Sequence, residues 1–435
     1  MKMNLPALKV GENSRFLVNQ NGEPFFWLGD TAWELIHKLS LAETQLYFQN
    51  RIEKGFTIIQ TVILAELDGL TVPNANGDLP LKDLDPSEPN EAYFNHVDKI
   101  IELANEMGLY LALLPTWGDK FNKKWGTGPE VFTPENARAF SASLAKRYAK
   151  HQHIVWVLGG DRVPQDKEDE AIIEQMAVGI REFDKDSLIT YHPNGGVIAS
   201  DIFGKSTWLQ VDMFQSKHQK NFREYTFVNK ARNRQPVRPV INGEPGYENI
   251  PNLLNKWNFQ RLDAADVRLS AYWSMLSGAA GYTYGCNEVW QMNTAESTPL
   301  FGAHLSWQEA LDLPGARQMG ILRSIFESLP WQQMHATRQI FAGINWPFSP
   351  PKLALSTSDQ SCLLIYQSTG SKIKLKIKKG ILNNSAVYWI NPQNGRVTPT
   401  KAKGSNTFYT PNRLQDWLLL ILSNKQRDQW HYTSS

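Results

Sequence analysis

The sequence predicts a (β/α)8 TIM barrel over residues 1–330, followed by a small C-terminal β-sandwich over residues 331–435. Three observations carry this reading. Eight strand-like apolar runs alternate with amphipathic helical stretches across the first three quarters of the chain. Several of those runs are almost unbroken in apolar residues, the pattern of parallel strands covered on both faces. After Leu329-Pro330 the helical periodicity stops, and short β runs follow one another with turn residues between them. A chain of 435 residues exceeds the usual size of one core, so a large domain with a smaller one fits. Eight alternations favour a closed barrel over an open sheet.

In order, the strand-like runs are Phe25–Gly29, Phe56–Leu64, Leu109–Pro115, Ile154–Leu158, Leu188–Tyr191, Leu209–Phe214, Val240–Asn242 and Gly281–Tyr284. The first helix opens on a capping box, Ser40-Leu41-Ala42-Glu43, and places Leu41, Thr44, Phe48 and Ile52 on one stripe. The same spacing recurs in Phe94, Val97, Ile101 and Ala104. It recurs again in Ala137, Phe140, Leu144 and Tyr148, after Thr133-Pro134, an N-cap with proline at the first helical position. Ile173, Met176, Ile180 and Phe183 form a fourth stripe, and later helices are expected within 221–231, 262–277 and 307–329. The fifth helix has the weakest pattern, because Pro193-Asn194-Gly195-Gly196 leads into a short irregular segment. In the C-terminal part, Lys372, Lys374, Lys376 and Lys378 alternate with Ile373, Leu375 and Ile377. One strand face there is all lysine, either a solvated edge protected from aggregation or a polyanion-binding face.

Composition narrows the function classes. With 42% hydrophobic and 20% charged residues the chain is globular, and a net charge of +2 gives no reason to expect a nucleic acid or membrane partner. No run approaches the roughly 20 apolar residues of a membrane span. The N-terminus MKMNLPALKVGENSRF shows no signal-peptide pattern, so a cytoplasmic location is expected for the chain as written, and a periplasmic or secreted one for a trimmed chain. Cys286 and Cys362 fall in different domains, which argues against a disulfide framework. Fifteen tryptophans are more telling, since an indole stacks well on the C–H face of a sugar ring. Oligomeric state is left open.

In a barrel of this kind, polar residues at strand C-termini face the active site. The first strand ends in Asp30 and Trp33, the second near Glu66, the third in Trp117 and Asp119, and the fourth in Gly159-Gly160-Asp161-Arg162. The fifth ends in His192, the sixth in Gln215 and His218, the seventh in Asn242-Gly243-Glu244, and the eighth in Tyr284. Asp161 and Glu244 sit beside glycines on strands nearly opposite each other, and two facing carboxylates are what glycosidic cleavage requires. Taken singly, each could be a loop cap; as an opposed pair amid aromatic and amide neighbours they point to catalysis. Asp30, Trp33, Trp117, His192, Gln215, His218, Asn242, Tyr247, Tyr284 and Trp290 are candidates for the sugar site. Asn242 enters because it is one face-repeat from Glu244. Glu66 and Asp119 are expected to be loop hydrogen-bonders. His192 and His218 bind sugar hydroxyls or tune a carboxylate, unless their roles are structural. No third ligand accompanies them with zinc-site spacing, and no nucleotide-binding or serine-hydrolase motif is present, so neither metal nor cofactor is expected.

The motifs FFWLGDTAWELIHKL, WVLGGDR, LITYHPNGG, QSKHQ, PVINGEPGYE and AYWSMLSGAAGYTYGCNEVWQM together resemble the apiosidase-like glycoside hydrolases (glycoside hydrolase family 140), over the whole barrel. The tail resembles that family's C-terminal domain, sometimes labelled collagen-binding. The resemblance implies an exo-acting enzyme on plant cell-wall pectin that removes β-linked apiose from rhamnogalacturonan II side chains, with Asp161 as acid/base and Glu244 as nucleophile. Related barrels of the larger clan carry Asn-Glu where this sequence has Gly160-Asp161, which sets the proton donor back by one methylene. The expected reaction is a retaining double displacement on an oligosaccharide or polysaccharide. The alternatives are a non-catalytic polysaccharide- or matrix-binding barrel, and a lyase using His192 or His218 as base.

Overall fold

Eight parallel strands form the first domain: β1 (Trp27–Thr31), β2 (Ile58–Leu64), β3 (Tyr110–Thr116), β4 (Ile154–Gly159), β5 (Ile189–His192), β6 (Asp212–Gln215), β7 (Val240–Glu244) and β8 (Gly281–Tyr284). The computed structural model describes residues 5–255, 257, 260–342, 351–370, 372–377, 380–404 and 406–432. Hydrogen-bonded order is β6-β7-β8-β1-β2-β3-β4-β5, and the two end strands meet across a seam. There Gln210 N donates to Ile189 O (3.0 Å), Thr190 Oγ1 to Val211 O (2.8 Å) and Gly196 N to Gln215 O (2.9 Å). The predicted barrel is therefore present. It is entered through a small antiparallel meander, Leu8–Val10, Leu17–Asn19 and Pro24–Phe25.

The helical layer comprises α1 (Leu41–Glu53), α2 (Glu91–Met107), α3 (Pro134–Tyr148), α4 (Lys167–Phe183), α5 (Ala199–Phe203), α6 (Glu224–Arg232), α7 (Ala264–Met275) and α8 (Pro314–Glu327). The Ser40–Glu43 capping box forms as expected, and Thr133 caps α3 with Pro134 in its first turn. The stripes of α2 and α3 are buried throughout. Two stripes differ. On α1 the buried face is Thr44, Tyr47, Phe48 and Arg51, with Leu41 exposed, because the Arg51 guanidinium is drawn inward by Asp30 and the Leu311 carbonyl. On α4, Phe183 is exposed under the Lys146 ammonium. The single helix expected over 307–329 is two, Trp307–Ala310 and α8, since Pro314 begins a new helix rather than continuing the old one.

Strand parity decides what reaches the barrel interior. Trp27, Gln60 and Thr283 point inward and bond one another's neighbourhood into a polar floor: Trp27 Nε1 donates to Thr283 Oγ1 (3.0 Å), Thr283 Oγ1 to Gln60 Oε1 (3.3 Å), and Gln60 Nε2 to Gly243 O (2.9 Å). β7 breaks the alternation. Phe214 pairs with Asn242 but Gln215 pairs with Glu244, so a β-bulge at Gly243 rotates Glu244 to the inside. A β-carbon at 243 would lie 2.4 Å from Met213 Sδ, so Met213 would have to move.

The C-terminal domain is a six-stranded antiparallel sheet in the order His335–Thr337, Leu353–Ser356, Cys362–Gln367, Trp417–Ser423, Ser385–Ile390, Val397–Pro399, with a two-stranded sheet, Lys372–Lys374 and Thr407–Tyr409, packed against it. Its central strands are apolar on both faces for a reason. Leu363, Ile365, Leu419 and Ile421 meet Ile373 and Phe408 in the sandwich core, while Leu364, Tyr366, Leu418, Leu420 and Leu422 join the core of the barrel. Lys372, Lys374 and Lys376 are exposed and alternate with buried Ile373 and Leu375; Lys378 lies outside the described residues.

A buried ion pair bolts the two domains together. Arg268 on α7 donates Nε and Nη2 to Asp416 (3.0 and 2.8 Å) and Nη1 to Gln318 Oε1 (2.6 Å). The Tyr366 hydroxyl donates to the same carboxylate (3.0 Å), and its ring stacks on Tyr272 with centroids 4.8 Å apart. Truncating one partner leaves the other charge buried and unpaired. Asp416→Ala is therefore expected to lower the unfolding free energy by about 3–5 kcal/mol in urea denaturation. Lys167→Ala, on an exposed pair, is expected to change it by less than about 1 kcal/mol.

Candidate active site

At the C-terminal ends of the strands lies a cavity of about 450 Å3, within the roughly 300–1,000 Å3 usual for small-ligand sites. Glu244 and Asp161 both line it. So do six of the sugar-site candidates or their like: Trp33, Trp117, Gln215, His218, Tyr247 and Trp290.

Glu244 is 5% exposed and is held by two imidazoles. His192 Nε2 lies 2.9 Å from Glu244 Oε2, a close contact off the ideal hydrogen-bond angle. His218 Nε2 lies 3.2 Å from Oε1. Each ring is fixed from behind. His192 Nδ1 accepts the Asp161 backbone N–H (3.1 Å), and His218 Nδ1 accepts that of Tyr247 (3.3 Å). A ring nitrogen that accepts a hydrogen bond carries no proton, so both rings present Nε2–H to the carboxylate. Burial alone would raise the Glu244 pKa, but hydrogen bonds from His192 and His218 outweigh it and bring the group down to about 2. The Tyr247 hydroxyl accepts from Trp33 Nε1 (2.9 Å) and faces the same carboxylate.

Asp161 is placed by unusual backbone. Gly159, Gly160 and Asp161 have φ of 93°, 104° and 54°, so the chain reverses at the end of β4 and turns the Asp161 N–H back toward β5. Both glycines are required. A β-carbon on Gly159 would lie 2.7 Å from the His192 carbonyl oxygen, and one on Gly160 would lie 2.8 Å from Gly118 N. The glycines thus supply backbone geometry, while Trp117 and Tyr191 fill the space beside them. The Asp161 side chain is 24% exposed, toward the cavity. Burial, and then the charge of Glu244, push its carboxyl up to about 6, against His192, Arg162 and Trp125. Arg162 offsets this push only in part. Its Nη1 is 3.7 Å from Asp161 Oδ2, while its donors go to the carbonyls of Asn122 (2.7 Å), Asp161 (2.8 Å) and Lys123 (3.1 Å).

Four candidates are not in the cavity. Asp30 is fully buried on the helix-facing side of β1, where it accepts from the Tyr47 hydroxyl (2.5 Å) and sits 3.4 Å from Arg51 Nη1. Tyr284, its cross-strand neighbour, faces the same layer and donates to Glu248 Oε2 (2.6 Å). Asn242 donates to Ser274 Oγ on α7 (3.2 Å), because the bulge at Gly243 breaks the face-repeat that would have set it beside Glu244. His192 is fully buried, with both ring nitrogens turned to protein, so it acts on Glu244 rather than on a sugar.

Others enter that the sequence reading placed elsewhere or passed over. Asp119 is the expected loop hydrogen-bonder, accepting from Lys120, Thr127 and Gly128. Glu66 is not: its carboxyl lines the cavity, with no hydrogen bond or ion pair among the described residues. Burial, then the charges of Glu34, Asp119, Asp161 and Glu244, hold it well above the usual carboxylate range, which favours the neutral form, a hydrogen-bond donor. Trp125, Asn194, Gly195, Ser216, Lys217, Ile250, Leu253, Leu254 and Phe301 complete the lining. Among the described residues, no group of three or more His, Cys, Asp or Glu is arranged to hold a metal ion.

Comparison with known proteins agrees with this fold. The family model described as "Apiosidase-like, catalytic domain" matches residues 11–333, well over half of the chain. The chain belongs to the apiosidase-like family. A second model, "Putative collagen-binding domain of a collagenase", matches residues 349–422. A solved structure described as a glycoside hydrolase is 27% identical with a TM-score of 0.87, over 97% of each chain. A glycoside hydrolase family 5 structure from Bacteroides vulgatus is also 27% identical, with a TM-score of 0.88 over 98% of this chain and 96% of that one. No curated protein matches. The protein is accordingly a glycoside hydrolase with a barrel and a C-terminal β domain.

The division between cavity and helix layer has a kinetic signature. Gln215→Ala and Trp290→Ala are expected to raise KM for a cleaved glycoside. Tyr284→Phe and Asn242→Ala are expected to leave KM unchanged while each lowers stability by about 1 kcal/mol for a lost hydrogen bond. Steady-state kinetics beside thermal melts separates the two groups.

Proposed function

We propose that this enzyme is a retaining, exo-acting glycosidase of plant cell-wall pectic glycans that removes terminal β-linked apiose, with Glu244 as nucleophile and Asp161 as acid/base. The observation that carries the reading is two carboxyls facing one cavity in opposed surroundings: the imidazoles beside Glu244 bring it down to about 2, while burial and the charge of Glu244 push Asp161 up to about 6, so below that pH one is ionised while the other keeps its proton. Such a divergence is how one site supplies both an acid and a nucleophile near neutral pH.

In the first step the Glu244 carboxylate attacks the anomeric carbon as the glycosidic C–O bond breaks, and Asp161 gives its proton to the departing oxygen. The result is a glycosyl ester on Glu244 and a free leaving alcohol. In the second step the Asp161 carboxylate takes a proton from water as its oxygen attacks the anomeric carbon. The ester bond breaks, Glu244 returns as the carboxylate, and the sugar leaves with its original anomeric configuration. His192 and His218 keep Glu244 ionised before attack and receive the charge again when it departs. Trp33, Trp117 and Trp290 offer aromatic walls, and neutral Glu66 offers a donor to a sugar hydroxyl. Lys217 is the one lysine or arginine among the described lining residues, and its charge complements the uronates of a pectic substrate.

Glu244→Gln is expected to abolish turnover while keeping substrate binding. Asp161→Asn is expected to spare aryl glycosides with good leaving groups far more than natural linkages; equal losses on both would exclude Asp161 as the acid. The acid must be protonated and the nucleophile ionised, so kcat/KM is expected to fall as pH rises through about 6, and at the acid end through about 2. Proton NMR of early product from a β-glycoside is expected to show the β anomer first; the α anomer would establish inversion. Mass analysis of the monosaccharide released from pectic oligosaccharides tests apiose directly.

A further inference from the structure

We propose that Trp125 forms a leaving-group subsite, a platform for the glycosyl residue on the far side of the scissile bond, and that its indole N–H positions the Asp161 carboxyl. The inference rests on the reading of Asp161 as the acid.

Trp125 lies in the loop between β3 and α3, on the cavity rim, and is 58% exposed. Its Nε1 donates to Asp161 Oδ2 (3.1 Å). The Arg162 guanidinium packs on the ring, 4.4 Å from its centroid, and the Lys124 ammonium lies 5.3 Å from it. The indole is thus backed by cations and bonded at its edge, yet much of it stays open to solvent. An exposed tryptophan held this firmly is a surface waiting for an apolar partner, and the C–H face of a sugar ring is one.

The loop beneath it is built to be rigid. Arg162 ties down the carbonyls of Asn122 and Lys123, and Asp119 Oδ2 accepts the N–H groups of Thr127 (3.1 Å) and Gly128 (2.9 Å). Gly126 must be glycine, since a β-carbon there would lie 2.3 Å from Asp119 Cβ and 2.7 Å from Arg162 Nη2. Location then assigns the ligand. The oxygen that receives the Asp161 proton belongs to the leaving sugar, and the group bonded to Asp161 at the open rim is the Trp125 indole. The ring over Glu244 is the sugar to be released; the ring beside Trp125 is the one left behind. The same N–H stabilises the Asp161 carboxylate, which burial and the charge of Glu244 oppose and His192 and Arg162 favour.

Two variants separate these roles. Apiose and an apiose-terminated pectic oligosaccharide are titrated calorimetrically into Glu244→Gln enzyme, with and without Trp125→Ala. We expect Trp125→Ala to weaken the oligosaccharide about tenfold, or about 1.4 kcal/mol, and apiose less than twofold. Equal weakening of both probes, or of neither, overturns the subsite. Trp125→Phe keeps a ring but removes the donor. The Asp161 carboxyl, followed by carbon-13 NMR, is then expected to titrate above its wild-type value, and an unchanged titration overturns the positioning role. If neither probe binds, the apiose reading fails and the NMR titration alone decides the role of Trp125. If Asp161→Asn leaves cleavage intact, the acid assignment fails, whereas the calorimetry still reports on the platform.

Discussion

Glu244 sits between two imidazoles, each locked from behind by a backbone N–H, and the organisation of the site follows from that arrangement. A carboxylate in a nearly dry pocket would ordinarily take up a proton. Here two ring N–H groups face its two oxygens, so the charged form is the stable one. The rings can do this only in one tautomer, and that tautomer is enforced by the peptide N–H groups of Asp161 and Tyr247. The residue proposed as the acid therefore holds, through its own backbone, the ring that keeps the proposed nucleophile charged. That charge in turn is the second largest influence keeping Asp161 protonated. Each carboxyl sets the state of the other, one through hydrogen bonds and one through the field.

This coupling explains the local backbone. Three consecutive positive φ angles at residues 159–161 would be costly in most sequences, and two of them fall on glycines that a methyl group could not replace. The bulge at Gly243 does the corresponding work on β7, turning Glu244 inward where plain alternation would have sent it to the helices. Arg162, which could have neutralised Asp161, instead supports the β3–α3 loop and backs Trp125. The C-terminal sheet stands apart from this chemistry. It buries one face against the barrel through Leu418, Leu420 and Leu422 and is pinned by Arg268 and Asp416, so its place beside α7 is set by packing and a buried ion pair.

Most of the architecture was legible in the sequence because it rests on local rules: alternating strand and helix patterns, caps such as Ser40 and Thr133, and the change of texture after Pro330. That Asp161 and Glu244 face one cavity was legible from their pairing on opposed strands beside glycines, since either acid alone could have been a loop cap. What could not be read was orientation. Asp30 and Tyr284 stand at strand ends like the cavity residues, but the parity of β1 and β8 turns them outward. Asn242 was misplaced by a one-residue bulge, visible only in pairing to β6. Glu66 looked like a loop residue because nothing local marks it; its raised pKa comes first from burial and then from four acids distant in sequence. Trp125 carried a faint signal, a tryptophan before glycine in a lysine-rich loop, whose meaning depends on Asp161 standing next to it. The double face of the strand 417–423 was legible as a solid apolar run, without saying which two cores it joins.

The central claim is that the two carboxyls are driven apart by one another and by the paired histidines. Carbon-13 NMR titration of the side-chain carboxyls, in the wild type and in His218→Ala, tests this most directly. The account predicts one cavity carboxyl titrating near 2 and another near 6 in the wild type, with the lower value rising when His218 is removed. If both groups instead titrate together in the ordinary range near 4, and His218→Ala changes neither, the electrostatic design described for this site is contradicted.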